Sequence, residues 1–274
     1  MSPRPLTTAV VTGAGSGLGR ALTLDLTRRG AKVLASDISA GALEETISLV
    51  RAAGGDARPF ITNVRDPVAV KALLDQAVAR LGHVDLWANN AGVAVGGPIG
   101  GVPLDDWKYC IDVNLYGVIH GCHVVAPYFR ERGAGMVLNV ASAAGLVSMP
   151  NLGPYNVTKA AVVSLSETLY NELRPFDVGV TVLCPTFFPT NIARDGRVHD
   201  PRGKRLAEKL MERSKWTPAD VAKVAVDDAV RGTLYSVPMN DGRMMWALKR
   251  LMPGPFHNVM GWGSNQMASR TKPT

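Results

Sequence analysis

Residues 8–19, TAVVTGAGSGLG, join a short β-branched run to a segment rich in glycine. The first five of these residues predict a buried strand, because valine and threonine favour the pleated conformation. Residues 17–29 then carry leucines at helical spacing and predict a helix. A strand that passes through glycines directly into a helix exposes backbone N–H groups at the start of that helix, where a phosphate can bind.

Around this segment, short apolar runs alternate with longer amphipathic stretches. Strands are predicted at 8–12, 32–36, 58–61, 84–89, 136–140, 178–183 and 234–237. Helices are predicted at about 17–29, 40–53, 67–81, 104–131, 153–173 and 217–231. This alternation predicts βαβ units, and right-handed crossovers place helices on both faces of one parallel sheet. We therefore expect a doubly wound α/β domain over residues 1–240, with an extension at 241–274 that packs on the domain or on a neighbouring subunit.

The composition indicates a folded protein without disulfides or structural metal. The chain has 274 residues, 46% hydrophobic and 19% charged, which is enough to bury a large core. It contains no apolar run of 18 residues, and its first residues do not resemble a signal peptide. Cys110, Cys122 and Cys184 are widely spaced, so we expect neither a disulfide framework nor a metal site. A reducing cytoplasm is the expected compartment.

The net charge of +7 lies entirely in the last third of the chain. Residues 1–193 hold 15 basic and 15 acidic side chains, whereas residues 194–274 hold 15 and 8. A solvated helical surface is the favoured interpretation, and a nucleic-acid site lacks any recognisable reading helix or aromatic platform. Met245, Leu248 and Met252 stand near helical spacing among basic residues, so contact with a membrane surface is another alternative. We favour packing over a neighbouring subunit or over the mouth of a pocket.

The spacing of the glycines narrows the kind of nucleotide site. Gly13, Gly17 and Gly19 form G-x-x-x-G-x-G rather than G-x-G-x-x-G, and no Gly-Lys-Ser/Thr follows that would make a Walker phosphate loop. Asp37 ends the second predicted strand, 18 residues beyond Gly19, and is followed by Ile38. An acid in this place accepts hydrogen bonds from an adenosine ribose and repels a 2′-phosphate, which favours NAD over NADP. The alternative interpretation is an aspartate that caps the following turn.

A hydroxyl, a phenol and an ammonium converge on the same edge of the predicted sheet. Tyr155 and Lys159 are four residues apart near the start of the helix predicted at 153–173, so they share one face. Ser142 follows the strand predicted at 136–140, and strand ends meet helix starts in the ligand crevice of a parallel sheet. Taken alone, the Tyr–Lys spacing is most often ordinary helix surface. The full set is a strong indication of a catalytic site.

With these pieces in place, the chain resembles the short-chain dehydrogenase/reductase family over about residues 6–240. The resemblance rests on the glycine segment 12–19, Asn89-Asn-Ala-Gly92, Asn114 in Val113-Asn-Leu-Tyr-Gly117, Ser142, and Tyr155 with Lys159. It implies a Rossmann-type domain that binds a nicotinamide cofactor and interconverts secondary alcohols and ketones by hydride transfer. Two families of related fold fit less well, because enoyl reductases place more residues between the tyrosine and the lysine and sugar-nucleotide epimerases are usually longer.

The resemblance implies a role for each catalytic side chain. Tyr155 is the general acid/base, and the Lys159 ammonium and the positive nicotinamide are expected to lower its pKa from about 10. Lys159 also holds the nicotinamide ribose, and Ser142 hydrogen-bonds the substrate oxygen. Asn114 positions a water that links Lys159 to solvent. An alternative that is compatible with this role is an asparagine that kinks or caps a helix.

The resemblance also implies a set of contacts to NAD. The residues concerned are Gly13, Ser16, Gly17, Leu18, Gly19, Asp37, Asn63, Val64, Asn90, Ala91, Gly92, Tyr155, Lys159, Phe188 and Thr190. Asn90 is expected against the adenosine ribose, whereas Asn89 ties neighbouring strands together. Asn63 stands where the family often has aspartate, and its carbonyl can still accept from the adenine amino group. Thr186 replaces the family's usual glycine, so the loop that follows is expected to differ in shape.

The resemblance assigns substrate binding to three segments. Two of them contain no charged residue, and the third begins with uncharged residues. Residues 93–101 and 143–152 carry no charge, and Phe187 and Phe188 stand at the start of the third segment, 186–215. An apolar pocket is therefore expected, with a hydrophobic secondary alcohol or ketone as the substrate. Packing of both phenylalanines in the core is an equally weighted alternative.

The third segment also contains charged side chains that bear on this expectation. Arg194, Arg197 and His199 would contradict an apolar pocket if the segment folded inward. We expect these three side chains to be exposed instead.

The sequence also bears on the oligomeric state and on an alternative function. The helices predicted near 112–131 and 153–173 carry apolar surfaces that the family commonly pairs between subunits, so a homotetramer is expected. The alternative function is a cofactor-binding regulator of the same fold with little catalysis. The intact catalytic residues argue against it, because a role in binding alone needs no aligned phenol.

Overall fold

The computed structural model describes residues 4–269, the last eight of them by their backbone alone. The strands in this part of the chain are β1 Thr8–Thr12, β2 Lys32–Asp37, β3 Ala57–Ile61, β4 Leu86–Asn89, β5 Val95–Gly96, β6 Gly135–Val140, β7 Val178–Leu183, β8 Arg197–Val198 and β9 Tyr235–Ser236. Seven of them form one parallel sheet in the spatial order β3-β2-β1-β4-β6-β7-β9. β5 and β8 form a separate parallel pair. The seven strands predicted from the sequence are those of the large sheet.

Helices connect the strands and cover the sheet. They are α1 Gly17–Arg28, α2 Ala40–Ala52, α3 Pro67–Leu81, α4 Leu104–Ile111, α5 Gly117–Arg132, α6 Ala143–Leu146, α7 Gly153–Leu173, α8 Pro201–Glu212, α9 Pro218–Arg231, α10 Asn240–Leu251 and α11 Pro253–Ser269. The start of α9 is the one that the sequence predicted, because Thr217 and Asp220 cap each other's backbone N–H groups there.

The sheet is buried because helices pack on both of its faces. One face packs against α3, α5 and α7, and the other packs against α1, α2 and α9. Alternate residues of β1 divide between these two cores, with Val10 in the first and Ala9 and Val11 in the second. The doubly wound, Rossmann-type α/β class is therefore confirmed. The edge strand β3 departs from the predicted apolar runs, since its Arg58 and Pro59 are exposed.

The strand order reverses beside β1. β1 pairs with β2 on one side and with β4 on the other, so the chain crosses here from one half of the sheet to the other. Ligands of open parallel sheets bind at such a point, in the crevice outside the carboxyl ends of the strands. The glycine segment follows β1 and Asn89 ends β4, so both of these predicted features lie at this crevice.

The helix predicted at 104–131 is two helices joined by a wider turn. α4 ends at Ile111, Asp112–Tyr116 form a π-helical turn, and α5 begins at Gly117. Such a turn inserts one extra residue into the helical hydrogen-bond ladder and is frequent at functional sites. Asn114 lies at its centre.

The last third of the chain has more regular structure than the sequence predicted. The polar stretch 194–215 contains β8 and α8, and no residue of α8 is buried. The stretch 243–262, which the sequence left unassigned, lies in α10 and α11. Of the extension predicted at 241–274, residues 270–274 lie outside the described residues. Across residues 4–269, every helix is too short or too polar to cross a bilayer.

Helix α10 packs on the domain that precedes it. The rings of Trp246 and Tyr235 lie 4.8 Å apart, and Lys249 Nζ donates to the carbonyl oxygen of Leu146 at 2.7 Å. Leu251, at the end of the helix, remains 79% exposed. One face of α10 is thus fixed beside α6, and the other remains in contact with solvent.

Candidate active site

Close packing of glycines builds the turn between β1 and α1. A Cβ at Gly19 would lie 2.0 Å from the carbonyl oxygen of Gly13, and a Cβ at Gly13 would lie 2.7 Å from Cα of Ala91. Gly13 and Gly17 have φ angles of 65° and 49°, a region that L side chains rarely adopt. These positions require glycine, and the turn contacts the segment that follows β4.

The first turn of α1 is a polar opening toward the same crevice. Its N-cap residue Ser16 makes no side-chain capping hydrogen bond, and the turn contains no acidic residue. The first N–H groups of a helix have no partner within the helix, and they carry the positive end of the helix dipole. The turn can therefore accept an anionic group such as a pyrophosphate.

Asp37 is fixed at the end of β2 by two backbone groups. Its Oδ2 accepts from the N–H of Gly15 at 2.8 Å, and its Oδ1 accepts from the N–H of Ser39 at 2.9 Å. The bond to Ser39 is the turn cap that the sequence left open as an alternative. The bond to Gly15 also places the carboxylate against the glycine turn, and its contact with an adenosine ribose stays a prediction.

Thr190 brings a second segment of the chain to the glycine turn. A Cβ at Gly17 would lie 3.7 Å from Cβ of Thr190. The Thr190 hydroxyl is buried and has no hydrogen-bond partner among residues 4–269. A buried hydroxyl without a partner costs free energy that a ligand can recover. With the open helix start and Asp37, this set of donors and acceptors fits a dinucleotide.

Two consecutive asparagines hold the end of β4. Asn89 Nδ2 donates to Asn139 Oδ1 at 2.9 Å and so ties β4 to β6, as the sequence led us to expect. Asn90 Nδ2 donates to the carbonyl oxygens of Thr12 and Gly13 at 2.8 and 3.1 Å. The amide nitrogen of Asn90 is therefore used in bonds to the glycine turn. The ribose contact expected of this residue stays a prediction.

The segment after β3 forms a tight turn of its own. Asn63 Oδ1 accepts from the backbone N–H and from Nε of Arg65, each at 3.2 Å. The carbonyl that was expected to meet an adenine amino group is thus used within the turn. Nδ1 of His120, on α5, lies 2.9 Å from the carbonyl oxygen of Val64 and anchors the turn to that helix. A cavity of about 320 Å³ opens beside it, lined by Asn63, Arg65, Asp66, Lys108, Asp112, Tyr116 and His120.

The end of β6 and the first turns of α7 bring Ser142, Tyr155 and Lys159 to one place. Lys159 is 2% exposed, and its Nζ donates at 2.8 Å to the carbonyl oxygen of Val140, two residues before Ser142. The same Nζ lies 5.6 Å from the ring centre of Tyr155. Ser142 Oγ accepts from the N–H of Ala144 at 3.1 Å and so caps α6.

Desolvation shifts the pKa values of the phenol and of the ammonium in opposite directions. Loss of contact with water raises the pKa of Tyr155 to about 12, and hydrogen bonding to Ser142 opposes only part of this rise. Burial likewise lowers the pKa of Lys159 to about 8. The sequence-based expectation of a lowered pKa for Tyr155 involved the positive nicotinamide as well as Lys159, so it stays a prediction for the NAD complex.

Asn114 explains the π-helical turn. Its Oδ1 accepts from the N–H of Val93 at 2.8 Å, and its Nδ2 donates to the Val93 carbonyl oxygen at 2.9 Å. The side chain thus pairs with backbone 21 residues away, as a neighbouring strand would. A Cβ at Gly92 would lie 3.3 Å from Asn114 Oδ1 and 3.5 Å from Lys159 Nζ, so the asparagine and the lysine are neighbours. Asn114 therefore lies where the helix is interrupted, as the alternative interpretation of this residue predicted.

Two residues beside Asn114 were not identified from the sequence as part of this site. Asn114 Nδ2 also lies within 3.4 Å of Cys110 Sγ and of Thr158 Oγ1. Burial raises the pKa of the Cys110 thiol, so it stays protonated beside Lys159. In the sequence, only the position of Thr158 directly before Lys159 could have indicated its place in the site. That position alone does not assign a function to a threonine.

The three segments expected to bind substrate meet beside this site. β5, in segment 93–101, pairs with β8, in segment 186–215. The N–H of Gly97 donates to the carbonyl oxygen of Asn151 at 2.7 Å, which joins segment 143–152 to the first. Backbone hydrogen bonds therefore hold the three segments next to one another.

Carboxylates pair with Arg194, Arg197 and His199, which are exposed as expected. Arg194 forms an ion pair with its neighbour Asp195, and both are exposed. Arg197 and His199 both bond to Asp106, in the first turn of α4. The sequence offered only an acid near the start of a predicted helix, and Asp106 was not identified as their partner.

The two phenylalanines after β7 differ in their surroundings. Phe188 is 8% exposed and packs in the core with α1 and α9, as the alternative interpretation had it. Phe187 is partly exposed. Thr186 Oγ1 donates to Asp241 Oδ1 at 3.1 Å, so the residue that replaces the family's glycine is tied to α10.

Comparison with known proteins places this arrangement among dehydrogenases. The family model described as short chain dehydrogenase matches residues 7–200. A putative oxidoreductase SadH of Mycobacterium tuberculosis is 31% identical over 259 residues, covering 93% of this chain and 94% of the relative. The 3beta-hydroxysteroid dehydrogenase 1 of Eggerthella lenta is 33% identical over 222 residues, covering 80% of this chain and 84% of the relative.

Solved structures give the same result. A short-chain dehydrogenase/reductase of Burkholderia phymatum, crystallised in complex with NAD, superposes with a TM-score of 0.85 at 35% identity, covering 91% of this chain and 95% of that one. Levodione reductase superposes with a TM-score of 0.79 at 27% identity, covering 88% and 98% of the two chains.

Proposed function

The chain belongs to the short-chain dehydrogenase/reductase family, and on that basis we propose that it is an NAD-dependent oxidoreductase that interconverts a hydrophobic secondary alcohol and its ketone. The observation that carries the proposal is the convergence of Tyr155, Lys159 and Ser142 at the carboxyl edge of the sheet. The glycine turn after β1 opens at the same edge. A proton-transfer group and a dinucleotide site in one crevice are the two requirements of hydride-transfer chemistry on a carbinol.

Each catalytic side chain has one task in this proposal. NAD, when bound, supplies the hydride acceptor, and Asp37, Thr190 and Lys159 are the side chains that would hold it. Tyr155 removes the proton of the alcohol hydroxyl during oxidation and returns it to the ketone oxygen during reduction. Ser142 donates a hydrogen bond to the same oxygen and stabilises the charge that develops on it.

Lys159 has to offset the effect of burial on Tyr155. A phenol with a pKa of about 12 is a poor base at neutral pH, so a positive charge near it is required for turnover. The Lys159 ammonium, 5.6 Å from the ring centre, is the side chain placed to supply that charge. We assign Asn114 the task of holding the Gly92–Val93 backbone beside Lys159.

A preference for NAD over NADP follows from Asp37. A 2′-phosphate beside this carboxylate would suffer charge repulsion, and we expect catalytic efficiency with NAD to exceed that with NADP by about 100-fold. Asp37→Ser should reduce this preference to about tenfold or less, because it removes the charge but keeps a small polar side chain. Asp56→Asn, at an exposed carboxylate before β3, is the control and should leave the preference unchanged. A wild-type preference for NADP in steady-state kinetics would contradict the assignment.

The substrate pocket is proposed to be apolar. Segments 93–101 and 143–152 are uncharged, and Arg197 and His199 of the third segment both bond to Asp106. A screen of alicyclic, aromatic and steroid-like alcohols and ketones, followed by the absorbance of the reduced nicotinamide, tests this proposal. Turnover confined to phosphorylated or carboxylate substrates would refute it. Tight NAD binding without turnover of any compound would instead favour the regulatory alternative.

We further propose a homotetramer in the cytoplasm. The family commonly pairs the helices that correspond to α5 and α7 between subunits, and Val157 on α7 is 51% exposed. Pairing the outer faces of these helices across two-fold axes would bury them. The three buried cysteines are free thiols, which suits a reducing compartment. Light scattering at micromolar concentration tests the assembly, and a monomeric mass would refute it.

A further inference from the structure

A buried carboxylate joins two parts of the chain that are distant in sequence. Asp106 is 9% exposed, and its Oδ1 accepts from Nη1 of Arg197 at 2.7 Å. Its Oδ2 accepts from Nε2 of His199 at 2.6 Å. The two partners hold the pKa of the Asp106 carboxyl below its usual range. We call Asp106, Arg197 and His199 the loop clasp.

Backbone pairing and ring stacking align the clasp with β5. The N–H of Arg197 donates to the carbonyl oxygen of Ala94 at 2.9 Å, and the N–H of His199 donates to that of Gly96 at 2.8 Å. The Arg197 guanidinium also lies 3.9 Å from the ring centre of Tyr109, on α4. Since two hydrogen bonds make a short strand pair, the side-chain clasp supplies much of what fixes β8 in register.

The part of the chain beyond β8 has few attachments of its own. No residue of α8 is buried, and its Leu206 and Leu210 are exposed. A segment with so few buried apolar groups opens at low free energy unless it is fixed at its ends. At its start, Asn151 Nδ2 donates to Asp200 Oδ2 at 3.1 Å, and the clasp lies immediately before this bond.

Backbone hydrogen bonds connect the clasp to the segments that carry the reacting groups. β5 follows Val93, whose backbone pairs with Asn114. The N–H of Gly97 bonds to Asn151, four residues before Tyr155. A displacement of β8 would therefore be transmitted to both sides of the pocket through β5 and the start of α7.

We propose that Asp106 is a positioning residue that holds the segment 186–215 over the substrate pocket through Arg197 and His199. Its kinetic consequence rests on the proposed function, whereas its effect on the segment does not. An asparagine at 106 retains one acceptor oxygen but carries no negative charge. The charge-assisted bond to the Arg197 guanidinium is therefore weakened, so the clasp opens more often.

Limited proteolysis measures the opening directly. The segment 194–215 contains eight lysines and arginines, so trypsin reports on its exposure. We expect Asp106→Asn to raise the rate of cleavage within this segment about tenfold at an unchanged melting temperature. Asp105→Asn removes the same charge from an exposed position of the same helical turn and should leave the rate unchanged. Equal cleavage rates for wild type and Asp106→Asn would overturn the proposal.

Kinetics separate a positioning role from a merely structural one. With the substrate found by the screen, Asp106→Asn should raise KM about tenfold, keep kcat within about threefold, and leave the Kd for NAD unchanged. Faster cleavage with unchanged KM would overturn the positioning role. If Asp106→Asn fails to fold, Arg197→Gln, at a half-exposed side chain, carries the same expectations. A wild-type protein that turns over no alcohol would refute the proposed function. The proteolysis experiment would still test whether Asp106 holds the segment in place.

Discussion

Replacing Tyr155 with phenylalanine is expected to lower turnover about 10²–10⁴-fold while leaving the fold and the affinity for NAD unchanged. The substitution removes one oxygen, and the ring stays in its place at the start of α7. Proton transfer to and from the substrate oxygen then has no donor at this position. The loss is specific to this position, because a water molecule that enters the crevice is not held in place as the Tyr155 hydroxyl is.

The matched control for this variant is on the same helix. Tyr170→Phe also removes one phenolic oxygen from α7, fifteen residues further along, and should keep turnover near the wild-type value. Steady-state rates and NAD titration followed by fluorescence quenching give both readouts. If Tyr155→Phe kept more than about a tenth of wild-type turnover, Tyr155 would not be the main acid/base.

Replacing Lys159 with methionine is expected to remove activity and to stabilise the fold. Catalytic efficiency should fall about 10²-fold or more, because the charge that favours the phenolate is lost. At pH 7 the free energy of unfolding should rise by about 1–2 kcal/mol, since burial lowers the pKa of this lysine from 10.5 to about 8. The lost bond to the Val140 carbonyl offsets part of the gain. Urea unfolding at pH 7 measures it.

The gain in stability should depend on pH with a definite sign. Wild-type Lys159 binds its proton more weakly in the folded chain than in the unfolded chain, so the penalty is fully present below pH 8. The penalty disappears as the pH rises from about 8 to about 10.5, so the difference between variant and wild type should shrink over that range. Lys71→Met, at an exposed lysine of α3, should show no such change. A methionine variant less stable than wild type at pH 7 would contradict the buried ammonium.

The alternation of strands and helices was predictable because each element carries its own period of apolar residues. β7 and α7 match the predicted ranges, and the capping pair at the start of α9 was visible as Thr217 and Asp220. The π-helical turn was not predictable, because its cause is a bond between Asn114 and Val93, 21 residues apart. Helix α8 was missed because the segment is strongly polar and contributes no buried residue to the core.

The proximity of the three candidate catalytic side chains was predictable, whereas the pKa shifts of two of them were not. Spacing and position relative to the strand ends identified Tyr155, Lys159 and Ser142. The direction of the Tyr155 pKa shift depends on how far the folded chain desolvates the phenol, which the spacing of residues does not reveal. Likewise, nothing local to Asp106 indicates that its partners lie 91 and 93 residues further along the chain.

Direct transfer of a labelled hydride tests the central claim that this crevice oxidises a secondary alcohol with NAD. The substrate found by the screen is prepared with deuterium on its carbinol carbon and mixed with wild-type protein and NAD. Mass spectrometry of the reduced cofactor should find one deuterium for each ketone formed, and Tyr155→Phe should form neither product at a comparable rate. Reduced cofactor that carries no deuterium, or ketone formed without reduced cofactor, would contradict the account.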